Sequence, residues 1–85
     1  MAKRDKFIER FLSGQSDADI SFDALCSLLK HFGFQMRVRD DHHIFAKDGI
    51  PEIINLQPAN AKAKPYQVRQ VRNLLRNYRL DKDLK

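Results

Sequence analysis

With 85 residues and a net charge of +5, the chain makes one small domain, and its single cysteine, Cys26, excludes an internal disulfide. No Cys/His spacing suits zinc, and the first ten residues hold no uninterrupted apolar run, so a metal-built, disulfide-stapled or membrane-spanning protein is not expected. The expectation is a cytoplasmic protein without metal or cofactor, whose core suffices for one layer of helices on one sheet.

Phe7, Ile8, Phe11 and Leu12 fall at helical spacing within residues 3–12, a short amphipathic helix that either caps the core or docks on a partner, and Ser13-Gly14 with Ser16-Asp17 supplies stop and linker chemistry. A second helix starts at the N-cap Ser21, with Asp23 in its first turn and Ile20 placed to staple onto Leu25. Its core stripe is Phe22, Leu25, Leu28, Leu29 and Phe32, and Gly33 is suited to the left-handed position that ends it. Cys26 lies beside that stripe and reads as a packing residue, since nothing near it suggests an activated thiolate.

Phe34, Met36 and Val38 alternate with polar residues at the period of a half-buried strand. If Asp40-Asp41 is a two-residue turn, the hairpin pairs Arg39 with His42, Val38 with His43, Arg37 with Ile44 and Met36 with Phe45. That register sets Met36, Val38, His43 and Phe45 on one face and Arg37, Arg39 and His42 on the other. Asp-Asp lacks the glycine such turns favour. Lys47-Asp48-Gly49 makes a second turn, leading to a third strand around residues 53–57 with Pro51 at its mouth or on an edge.

Residues 58–64 form a small-residue basic loop, and Pro65 opens the last helix at its first position. Val68, Val71, Leu75 and Tyr78 make its apolar stripe, and Arg69, Arg72, Arg76 and Arg79 make a second row one residue on. At about 100° per residue, this row runs along the edge of the buried face. From Lys62 onward, Lys62, Lys64, those four arginines, Lys82 and Lys85 oppose only Asp81 and Asp83, a local excess of +6. Such a surface suits a nucleic-acid backbone. The fold class is α+β: a three-stranded antiparallel sheet with helices on one face. Residues 1–85 form a single domain, with 1–16 as an N-terminal helical extension and 20–80 as the core.

An imidazole between two guanidiniums is a place for a phosphate. Histidine moves protons near neutral pH, typically worth 10²- to 10⁴-fold, and arginine stabilises charge developing on a phosphoryl group. RNA carries its own nucleophile in the 2′-hydroxyl, so phosphodiester cleavage there needs no metal.

Residues 28–34 (LLKHFGF), Arg37, His42-His43-Ile44-Phe45, Ile54-Asn55-Leu56-Gln57 and residues 62–72 (KAKPYQVRQVR) occur in the order that resembles the HicA toxin family. The likeness spans roughly residues 20–79. It implies a double-stranded-RNA-binding-like αβββα core, mRNA interferase activity and neutralisation by a HicB-like antitoxin. The family's functional histidine matches His42. Where the family carries Gly-Ser before it, this chain has Asp40-Asp41, two carboxylates beside the proposed phosphate site.

The resulting expectation is a toxin that acts as a metal-independent endoribonuclease on mRNA. His42 transfers the proton, and Arg37, Arg39, Lys62, Lys64, Arg69, Arg72, Arg76 and Arg79 hold RNA. His43 reads as a structural neighbour on the covered face. The alternatives are a non-catalytic RNA-binding module of the same fold and a protein-interaction domain whose basic edge meets an acidic partner such as the antitoxin.

Overall fold

The structure, a computed structural model, describes residues 3–80 and the side chains of residues 6–80. Lys82 and Lys85 of the basic cluster, with Asp81 and Asp83, lie outside the described residues, as do the two ends of the expected 1–85 domain. The order is α1 (Lys3–Ser13), a 3₁₀ turn (Asp17–Asp19), α2 (Phe22–His31), β1 (Gln35–Arg39), β2 (His42–Lys47), β3 (Ile50–Leu56) and α3 (Pro65–Asn77). The strands form one antiparallel sheet in the order β1-β2-β3. This is the expected α+β architecture. No helix among the described residues is long and apolar enough to cross a membrane.

The helix boundaries follow from the sequence chemistry. Ser21 Oγ accepts from the Ala24 backbone N–H at 3.3 Å, and Ile20 and Leu25 are both fully buried beside this cap. Gly33 takes φ +94°, and the N–H groups of Gly33 and Phe34 donate to the carbonyls of Lys30 and Leu29, closing the helix. Pro65 opens α3, where a missing N–H costs no hydrogen bond.

The β1–β2 register is the one expected, from Arg39 opposite His42 to Met36 opposite Phe45. Asp40 supplies the positive φ of the turn, +58°, in place of glycine. β3 starts three residues earlier than expected, with Pro51 inside it. It is an edge strand, so the missing N–H can face outward. Its pairing with β2 slips between Phe45 and Lys47, from Lys47 opposite Ile50 to Phe45 opposite Ile54. A two-residue slip keeps every side chain on its face.

Phe45, Ile54 and Leu56 point from the sheet into the core, meeting Leu25, Leu28 and Leu29 of α2 and Val68, Val71 and Leu75 of α3 in one buried cluster. Val38 shares the covered face but stays 56% exposed because β1 is an outer strand. Residues 1–16 extend the core that the resemblance implies, and Ile8 and Phe11 of α1 are buried within that same cluster, so α1 packs onto the core and does not stand free of it. Cys26 is buried there too, and burial, helped by Asp23, pushes its thiol up to about 11, consistent with a packing role.

Candidate functional site

The open face of the sheet presents Arg37 and Arg39 from β1, His42 and Ile44 from β2, and Asn55 from β3. His42 is half-buried. Its Nδ1 lies 3.1 Å from Asn55 Oδ1, and its Nε2 lies 3.2 Å from the Gln57 side-chain nitrogen. Asp41 Oδ1 stands 3.7 Å from His42 Nε2 and 3.5 Å from Gln57 Nε2. The hairpin therefore brings Arg37, Arg39 and His42 to one face, as expected, and sets the second carboxylate of the acidic turn, Asp41, beside the ring. His43 turns to the covered face, its ring edge-on to Phe22 at 4.8 Å, which is a packing contact.

Asn55 and Gln57 were absent from the expected site. Their alternation in the third strand places them on one face. Which β2 residues they meet depends on the slip after Phe45, and no residue pattern signals it. Gln57 is held in place from behind: with its amide oriented to suit both bonds, the Gln67 side chain of α3 donates to the Gln57 carbonyl and accepts from its N–H, each at 3.2 Å. Gln67 is buried and extends the sheet's hydrogen bonding one residue past β3.

The basic row on α3 does not join this face. The helix packs on the covered side of the sheet, and its row meets the N-terminal segment. Arg72 was expected to bind RNA, but it is only 9% exposed and makes a two-pronged pair with Asp17: Nη1 donates to Oδ1 at 2.8 Å and Nη2 to Oδ2 at 2.9 Å. Its Nη1 also donates to the Phe11 carbonyl at 3.2 Å. Gly14 lies beside this guanidinium, where a Cβ would meet its central carbon at 3.4 Å, an ordinary contact; it is the φ of +77° that favours glycine here. The hydrogen bond from Arg72 holds the Asp17 carboxyl below the usual range, and Asp17 in turn raises Arg72.

Two further cations of the expected RNA surface are engaged. Arg76 Nη2 donates to the Leu12 carbonyl at 2.6 Å, capping the end of α1. Lys62 donates to Asp19 at 2.6 Å, which lowers the Asp19 carboxyl, first through that hydrogen bond and then through its charge. Arg69 and Arg79 are exposed, and Lys64 is the half-buried N-cap of α3. The exposed residues Arg37 and Arg39 thus share the strand face of the imidazole, while Arg72 and Arg76 of the α3 row anchor α1 and the 3₁₀ turn.

No protein-family model, curated protein or solved structure matches the chain.

Proposed function

We propose that the protein is a HicA-type mRNA interferase toxin of the bacterial cytoplasm, a metal-independent endoribonuclease held in check by a HicB-like antitoxin. The observation that carries the reading is His42 on the open face, directly opposite Arg39, with Arg37 next along that face and Asn55 and Gln57 on the two ring nitrogens. The RNA backbone lies across this face with a phosphate between the arginines and the imidazole. His42 Nε2 takes the proton from the 2′-hydroxyl, O2′ bonds to phosphorus, and the P–O5′ bond breaks as O5′ takes a proton from water. The products are a 2′,3′-cyclic phosphate and a 5′-hydroxyl. Arg37 and Arg39 stabilise the charge that builds on the phosphoryl oxygens.

The alternative, an RNA-binding module that does not cleave, draws support from Gln57, whose amide occupies the imidazole nitrogen that would act as base. One experiment separates the two. Wild type and His42→Ala are incubated with total RNA in EDTA and the fragment ends are identified. The expected result is cleavage by the wild type alone, leaving cyclic phosphate and 5′-hydroxyl ends. Intact RNA with a folded wild type that still retards RNA on a gel would establish the module reading, and cleavage abolished by EDTA would overturn the mechanism.

A further inference from the structure

The carboxylate of Asp41 is an obligatory acceptor, and its nearest polar neighbour across the site is the Gln57 amide, nitrogen first, at 3.5 Å. An amide that turned its oxygen to Asp41 would set two acceptors against each other. With nitrogen toward Asp41, the same NH₂ group directs its second hydrogen at His42 Nε2, 3.2 Å away. A nitrogen that accepts this bond carries no proton of its own. In the neutral ring the proton then resides on Nδ1, where Asn55 Oδ1 at 3.1 Å receives it. Asp41 Oδ1 also approaches His42 Nε2 directly, but at 3.7 Å this is beyond hydrogen-bond range, so the chain of hydrogen bonds runs Asp41, Gln57, His42, Asn55, with donor and acceptor roles consistent at each step.

We infer that Asp41, Gln57 and Asn55 are positioning residues that hold His42 as its Nδ1–H tautomer, with Nε2 kept as an acceptor at the place where a ribose 2′-hydroxyl would donate. The inference rests on the ribonuclease reading for its purpose, but its structural content does not depend on RNA. The Gln57 N–H stands in for the substrate hydroxyl, since both donate to the same lone pair. Substrate entry exchanges one donor for another, and the ring does not change tautomer. The acidic turn also gains a physical role: Asp41 orients the amide that orients the imidazole.

The test is a long-range ¹H–¹⁵N spectrum of the imidazoles in uniformly ¹⁵N-labelled full-length protein at about pH 8.5, well above the ordinary histidine pKa of about 6.5. His42 signals are assigned by their loss in His42→Ala. The expected wild-type pattern is a protonated Nδ1 and an unprotonated Nε2. Gln57→Glu replaces the donor beside Nε2 with an acceptor, and should transfer the proton to Nε2. Asp41→Ala should leave a mixture of the two forms. A backbone amide spectrum of each variant, matching the wild type away from the site, establishes that it is folded. A wild-type ring protonated on Nε2, or a Gln57→Glu ring still protonated on Nδ1, overturns the inference whatever the RNA gel reads. An Nδ1–H ring in a protein that leaves RNA intact would instead retain the positioning relay and reject the ribonuclease. If the enzyme cleaves, Gln57→Glu should lower the rate at least about 100-fold, because its Nε2 already bears a proton.

Discussion

Single residues carry two distinct kinds of polar chemistry in this fold, and Arg72 and His42 represent them. Arg72 is enclosed by Asp17, the Phe11 carbonyl and the Phe11 ring, 6.0 Å from its guanidinium carbon. Removing one partner of such a pair leaves the other charge underground, at a cost of about 3 kcal/mol. Asp17→Asn is accordingly expected to lower stability by about that amount at pH 7, measured by urea unfolding. The pH dependence has a definite sign. The Asp17 carboxyl titrates below its ordinary value of 3.8 in the fold, so its contribution is complete above that value and disappears as pH falls through the depressed one. The gap between wild type and Asp17→Asn should therefore narrow on acidification below about pH 4. A gap that is constant from pH 7 to pH 2.5 would mean that Asp17 contributes through shape alone. His42, by contrast, is half-buried at the surface, and its partners define a proton position more than they hold the chain together.

At the scale of elements, the connection from β3 to α3 is held more tightly than its small-residue composition suggests. Ala59 and Lys62 exchange two backbone hydrogen bonds of 2.9 and 3.0 Å around Asn60 and Ala61. Both central residues take positive φ, +54° and +68°, the pattern of a tight hairpin turn. Asparagine tolerates that conformation, whereas alanine's Cβ opposes it by roughly 1 to 2 kcal/mol. The strain persists because the loop is tied down on both sides: the Ala61 carbonyl accepts from Phe22 N–H and the Ala63 N–H donates to the Ile20 carbonyl. Ala61→Gly should stabilise the protein by about 0.5 to 1 kcal/mol after the extra freedom glycine gives the unfolded chain, raising the melting temperature by roughly 3 to 6 °C. An unchanged or lower melting temperature would place the loop strain elsewhere. The same ties explain why Lys62 faces Asp19: the loop lies against the entrance to α2, beside the 3₁₀ turn.

For the whole molecule, the proposed function turns on which cationic surface would meet RNA. Neutralising a phosphate contact lowers the slope of log affinity against log salt by about 0.7 for single strands. The Arg37→Ala/Arg39→Ala double variant is expected to reduce that slope by about 1.4, while Arg69→Ala/Arg79→Ala leaves it nearly unchanged. The reverse result would move RNA from the sheet face to the helix. Arg72→Ala is unsuitable for this measurement, since it removes the buried partner of Asp17 and would be read through unfolding.

Much of this was legible from the chain itself because it depends on neighbours in sequence. The Ser21 cap, the Gly33 stop, Pro65 at the start of α3 and the period-2 pattern of the hairpin are local stereochemistry, and they suffice for the element order, the α+β class and the β1–β2 register. The face shared by Arg37, Arg39 and His42 follows from that register alone. Helical phase likewise put the arginine row beside the buried stripe of α3. What lay along that edge was decided by α1 and the 3₁₀ turn, whose contacting atoms belong to residues 55 to 64 positions away from Arg72 and Arg76 in sequence. The pairing of His42 with Asn55 and Gln57 was equally a tertiary matter, because it depends on a slip between two strands that either register would satisfy on hydrophobic pattern alone. A cation bound to a carboxylate in the fold and a cation free to meet a phosphate have the same sequence letter, and only packing distinguishes them.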